Sequence, residues 1–192
     1  EAEVNGVSIL PLKTIYYGGG TPSLLAFEFL SEELELCRDL FGIAQDAEIT
    51  LEANPEQITS ERIAADWLSI GFNRLSIGLQ SASNHLLHVM GRRHSREDAR
   101  QAVTLAYKAG FRNISLDLIT GLPDSGMSDI EDTLAFINTL PLTHISTYAL
   151  DVPRNSRFEK MLVADCERFP DDLTERKMFH RIREVLINRG FE

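Results

Sequence analysis

The chain has 192 residues, 43% of them hydrophobic and 25% charged, enough for one domain with a substantial buried core. A formal net charge of −10 excludes a general affinity for phosphate backbones or anionic lipid, which calls for clustered Lys and Arg, so no nucleic-acid partner is expected. No apolar run is long enough to span a bilayer, and residues 1–12 lack the basic start and apolar stretch of a signal peptide, so a cytoplasmic protein without a membrane-spanning segment is expected.

Short β-rich runs alternate along the chain with longer segments of helical period, the pattern of βα units built around a parallel sheet. The first run, 14–17, ends in Gly18-Gly19-Gly20-Thr21-Pro22. Ser31 then precedes Leu34, Cys37 and Phe41 at helical spacing, which makes Ser31 a candidate start signal and Cys37 a buried apolar residue. The second run is 49–52. Ser60 opens a helix carrying Ile63, Ala64, Trp67 and Leu68, and Gly71 closes it. The third run, 74–79, is followed by Gln80. Ser95 opens a helix with Ala99, Ala102, Val103 and Ala106 in register, closed by Gly110. After the fourth run, 113–119, Ser128 and Glu131 stand at capping-box spacing ahead of Leu134 and Ile137. The fifth run is 144–150, and a last helix covers about 172–189.

Each run reads as apolar nearly throughout, as buried parallel strands require. Two cysteines, Cys37 and Cys166, are too few for a disulfide framework and too far apart for a metal-binding CxxC pair, so no metal ligands are expected in this chain. Cys166 reads as a surface or packing thiol. No internal repeat or linker interrupts the pattern, so residues 1–192 read as one body, with βα units over 14–158 and a helical segment at 171–190.

Right-handed crossovers place the C-terminal ends of all these strands on one rim, and the polar residues there are unusual. Gly19, Gly20 and Thr21 follow the first strand, Glu52 lies in the second, Gln80 follows the third, and Asp117 lies within the fourth. A carboxylate in an apolar strand costs several kcal/mol unless it is paired or ligand-bound. The bland alternative for Glu52 and Asp117 is an internal salt bridge to an Arg, or a helix cap. The glycine triplet bares backbone groups to a ligand, although a tight turn would use the same residues. It lacks the GxGxxG and GxxxxGK[ST] spacings, so phosphate binding is not the leading reading.

The stretches Thr-Ile-Tyr-Tyr-Gly-Gly-Gly-Thr-Pro-Ser-Leu-Leu, Leu-Glu-Ala-Asn-Pro, Gly-Phe-Asn-Arg-Leu-Ser-Ile-Gly-Leu-Gln-Ser and Leu-Asp-Leu-Ile-Thr-Gly-Leu-Pro occur in this order. Over about 14–158 the chain therefore resembles radical S-adenosylmethionine (SAM) proteins of the oxygen-independent coproporphyrinogen III oxidase family. Met90-Gly91-Arg92-Arg93-His94-Ser95 is closer to the haem-chaperone branch of that family. The resemblance implies an α/β fold, a partial (β/α)6 radical SAM barrel truncated at its N-terminus and its C-terminus. It implies that Gly19, Gly20, Thr21, Glu52, Gln80, Arg92 and Asp117 bind SAM: carboxylates suit ribose hydroxyls or an ammonium, and an Arg suits a carboxylate. Asp151 falls at another contact position of the family, in an Asp-Val-Pro context that departs from the pattern.

The family's CxxxCxxC loop, which holds a [4Fe–4S] cluster, is absent from these residues, so the cluster is expected in the full-length protein only and this polypeptide alone is expected to be inactive, with no catalytic residue of its own. The activity implied is radical oxidoreductase chemistry of porphyrin and haem metabolism, in which a 5′-deoxyadenosyl radical drives oxidative decarboxylation of propionates. The alternative is a haem chaperone that binds haem and passes it to an acceptor protein. An unrelated barrel enzyme using Glu52 and Asp117 as acid and base is a third reading. His94, just before the helix start at Ser95, reads as a loop-stabilising or cofactor-adjacent residue rather than a haem ligand.

Overall fold

The structure, a computed structural model, describes residues 2–4 and 7–192. Strands β1 (Ala2–Val4) and β2 (Val7–Ile9) pair antiparallel and stand apart from the main sheet. Then follow β3 (Leu12–Tyr17), α1 (Phe27–Phe41), β4 (Ile43–Ala53), α2 (Glu61–Ile70) and β5 (Arg74–Gln80). The remaining elements are α3 (Asn84–Met90), α4 (Arg96–Ala109), β6 (Asn113–Thr120), α5 (Met127–Ile137), β7 (His144–Ala149), α6 (Arg157–Ala164) and α7 (Asp172–Asn188). Strands β3 to β7 form one parallel five-stranded sheet in chain order, curled into a half-barrel. All five strands predicted from the sequence are present. Among the described residues, β3 and β7 are the two edges and neither has a strand beyond it.

The strands are not the continuous apolar runs expected of them. They alternate with period two. In β5, Leu75, Ile77 and Leu79 are fully buried on the convex side, whereas Arg74, Ser76, Gly78 and Gln80 turn to the concave side. Helices α1, α2, α4 and α7 cover the convex side, where Leu30 and Leu34 of α1, Ala64 and Trp67 of α2, Ala99, Ala102, Val103 and Ala106 of α4, and Met178 and Ile182 of α7 join the strand residues in a single core. Each large side chain buried this way contributes about 1.5–3 kcal/mol. The concave side is lined instead by polar groups, which is why apolar and polar residues interleave.

Several helix boundaries differ from expectation. Helix α1 begins at Phe27 after Ala26, which offers no side-chain cap, so Ser31 lies inside the helix rather than at its start. Cys37 is only partly buried and Phe41 is 42% exposed, in a helix that follows the edge strand β3. Helix α5 starts after Gly126, whose N–H donates to the Asp129 carboxylate at 2.9 Å, and not at Ser128. Glu131 is drawn instead to Arg181 of α7. Ser60 and Ser95 do cap α2 and α4: each side chain accepts a backbone N–H three residues on, and the Asp98 carboxylate in turn accepts from Ser95 N–H. Cys166 is exposed.

Candidate functional site

Because the strands are parallel and in register, their C-terminal ends deliver one residue after another to the same rim. Glu52 of β4 pairs with Ser76 of β5, Gly78 of β5 with Asp117 of β6, and Asp117 with Ser146 of β7. Together with Gly20 and Thr21 of the turn after β3 and Arg92 of the loop between α3 and α4, these ends surround a cavity of about 370 Å3. That volume falls in the ~300–1,000 Å3 range of small-molecule sites. Six of the seven sequence-predicted residues line it: Gly20, Thr21, Glu52, Gln80, Arg92 and Asp117. Gly19 stands behind the wall and donates its N–H to Glu52 Oε2 at 3.1 Å. Gly19 and Gly20 have φ of 83° and 65°, left-handed values that bring the turn's backbone against the cavity and that side chains beyond glycine resist. Asp151 is exposed beyond β7 and does not line the cavity.

The two carboxylates are not spent on salt bridges. Among the described residues neither Glu52 nor Asp117 joins an ion pair with Lys, Arg or His. Glu52 accepts from Tyr16 Oη at 2.8 Å and from Gly19 N, one bond on each oxygen, so both oxygens keep further acceptor capacity. Burial and the neighbouring Glu52 charge push the Tyr16 phenol up to about 12, which keeps it a donor. Asp117 accepts from Ser76 Oγ at 3.0 Å. Burial raises its carboxyl above the usual carboxylate range; hydrogen bonds from Ser146 and Ser76 pull against that, and the Glu52 charge adds to it.

On the opposite wall Arg92 donates to Asn54 Oδ1 at 2.9 Å, and among the described residues the rest of its guanidinium has no partner. Gly78 makes room for this wall: a Cβ there would lie 2.9 Å from Gln80 Nε2 and 3.1 Å from Asn54 Oδ1. The lining residues not anticipated are Asn54, Ser76, Gly78 and Ile119, each two or four residues along a strand from a predicted residue, with Ala53 beside Glu52 and Tyr148 opposite Ile119 on β7. Strand periodicity applied outward from Glu52, Gln80 and Asp117 points to the first four. A larger groove of about 720 Å3 between β7 and α7 is lined by apolar side chains such as Leu142, Phe179 and Ile182 together with Arg183, Arg189 and a single carboxylate side chain, Glu192. Convergence of polar groups, rather than volume, marks the site.

The chain is 35% identical over 181 residues to a protein named heme chaperone HemW from Synechocystis sp. and 36% identical over 181 residues to its namesake from Escherichia coli. The alignments cover 94% of this chain but 44% and 47% of those proteins, so the chain spans less than half of their length. The fold superposes on coproporphyrinogen III oxidase HemN of Escherichia coli with a TM-score of 0.78 and 24% identity, over 94% of this chain and 41% of that one. The Radical SAM superfamily profile matches residues 2–137, which takes in the glycine turn, Glu52, Gln80, Arg92 and Asp117, and the chain accordingly belongs to the Radical SAM superfamily.

Proposed function

We propose that the rim cleft holds S-adenosylmethionine and that the protein handles haem as a chaperone rather than oxidising coproporphyrinogen. The cleft's donor set suits the cofactor: acceptors of Glu52 and Asp117 for hydroxyl and ammonium groups, the Arg92 guanidinium for a carboxylate, and Gln80 for groups that need both a donor and an acceptor. The backbone of Gly20 and Thr21 borders the same space with no bulky side chain between. When bound beside a reduced [4Fe–4S] cluster, the sulfonium of such a cofactor supplies radical chemistry. These 192 residues hold two cysteines, fewer than the three thiolates such a cluster takes, so its ligands would come from elsewhere than these residues. What this chain contributes is orientation. Tyr16 and Gly19 fix Glu52, Ser76 and Ser146 face Asp117, and Asn54 fixes Arg92.

The observation that carries the chaperone reading over the oxidase reading is the 35–36% identity, across 94% of the chain, to proteins named heme chaperones. The oxidase likeness, at 24% identity, speaks to fold alone. His94 is not offered as the haem ligand, since its side chain is 0% exposed. The reading is tested on the full-length protein reconstituted anaerobically with iron and sulfide. It is expected to bind S-adenosylmethionine and haem and to leave coproporphyrinogen III unconverted; anaerobic decarboxylation of that porphyrinogen with S-adenosylmethionine consumed returns the reading to the oxidase.

A further inference from the structure

Strand β5 carries an irregularity at its rim end. Pairing with β6 runs Gly78 to Asp117 and then Gln80 to Leu118, so Leu79 is an extra residue outside the pairing. Such a bulge re-aims the side chain that follows it. Gln80 takes up the distortion with φ of 71°, a left-handed value costly for a residue with a Cβ, and its side chain folds over Gly78 into the cleft. The peptide between Leu79 and Gln80 must be held in that orientation by something, and Leu79 is fully buried, so its carbonyl cannot turn to water.

The donor it meets is His94, whose Nε2 lies 3.3 Å from Leu79 O. A carbonyl only accepts, so Nε2 carries the hydrogen. The ring is shut away from solvent, and its other nitrogen, Nδ1, sits 3.3 Å from Glu56 Oε2 at an angle that leaves it without a hydrogen bond. Glu56 is two residues past Asn54, the acceptor for Arg92, and His94 is two residues past Arg92 itself. One imidazole thus touches two segments that each bring a polar group to the cleft, Gln80 and Asn54, and belongs to a third that brings Arg92.

We propose that His94 is a positioning residue: its Nε2–H holds the Leu79 carbonyl, and through that peptide keeps Gln80 in the left-handed conformation that points its amide into the cleft. The affinity part of this inference rests on the S-adenosylmethionine reading above; the backbone part does not. The test compares His94→Leu, His94→Asn and His94→Gln. A glutamine amide reaches the place of Nε2, whereas an asparagine amide stops at the place of Nδ1. Two quantities are read in each variant: the conformation of Gln80, from its backbone NMR couplings and carbon shifts, and affinity for S-adenosylmethionine by calorimetry.

The expected result is that Leu and Asn move Gln80 out of the left-handed region and weaken binding on the order of ten-fold, the worth of one hydrogen bond. Gln keeps both near the parent values. Either readout unchanged in the Leu and Asn variants overturns the proposal, as does a Gln variant that loses as much as Asn. If His94→Leu does not fold, the Asn and Gln pair, equal in polarity, decides alone. If the parent protein shows no affinity for S-adenosylmethionine, the reading of the cleft falls, and the Gln80 conformation alone decides the role of His94.

Discussion

Asp117 shows at the scale of one residue what the site costs the fold. Its carboxyl is raised mainly by burial, so the folded protein holds a proton there more tightly than the unfolded chain does. The unfolded chain therefore binds fewer protons than the folded one between the ordinary Asp value of about 3.9 and the raised folded value, and stability falls as pH rises through that window. Above it the folded state carries an unfavourable buried charge. Asp117→Asn removes that charge and keeps the shape, so thermal melts should place the variant above the parent at pH 7, with the gap closing as pH falls toward 4. A variant that melts lower than the parent at pH 7 would show that the Ser76 and Ser146 hydrogen bonds outweigh burial. The same substitution should weaken binding of S-adenosylmethionine, so stability and affinity are expected to move in opposite directions.

At the scale of elements, α7 tests which contacts hold a helix to the sheet. Arg181 of α7 reaches Glu131 of α5 at 2.6 Å, and both side chains are more than a third exposed. Exposed pairs of this kind contribute ~0–1 kcal/mol. Met178, on the inward face of the same helix, is fully buried in the core. Removing its side chain leaves a void and should cost ~2–5 kcal/mol. Urea unfolding should therefore show Met178→Ala several-fold more damaging than Glu131→Ala; comparable losses would mean that the ion pair, not the core, docks α7.

Legibility of the elements follows the same division. The runs at 74–79 and 113–119 were readable because Leu75, Ile77, Leu79, Ile114, Leu116 and Leu118 form the convex core face, and Ser60 and Ser95 because they cap with their own side chains. The start of α1 was not readable, since Ala26 leaves no local signal and Ser31 offers a false one. Strand β4 begins at Ile43, six residues before the predicted run, because Ile43 and Glu48 pair with Leu12 and Thr14 of β3 and carry polar residues such as Gln45 and Asp46 between them in the strand without apolar burial. In the candidate site, Glu52, Gln80 and Asp117 could be located from strand position. Arg92 could not: it comes from a loop, and only the family resemblance brought it forward. The bulge at Leu79 and the left-handed Gln80 leave no trace in residue types, because neither leucine nor glutamine favours that geometry.

At the scale of the molecule, the net charge of −10 and two carboxylates in one cleft predict a preference for cations. S-Adenosylmethionine carries a positive sulfonium that S-adenosylhomocysteine lacks. Calorimetry of the two ligands should show the former losing affinity more steeply between about 0.1 M and about 1 M salt, where the screening length shrinks from ~10 to ~3 Å. Parallel salt slopes would mean that the sulfonium lies outside the carboxylates' field.

The alternation of β5, with Leu75, Ile77 and Leu79 facing the helices and Arg74, Ser76, Gly78 and Gln80 facing the hollow, separates two kinds of constraint along a single strand. Every second residue answers to the helices behind the sheet, and the residues between answer to whatever occupies the hollow. Substitutions can therefore accumulate on the hollow side one at a time, each judged by ligand and hardly at all by core packing. A sheet partitioned in this way is free to exchange one guest for another across a lineage while its scaffold stays still. The exception is the rim end of β5, where Leu79 belongs to the core by its side chain and to the hollow by its carbonyl, and there the two histories are tied together.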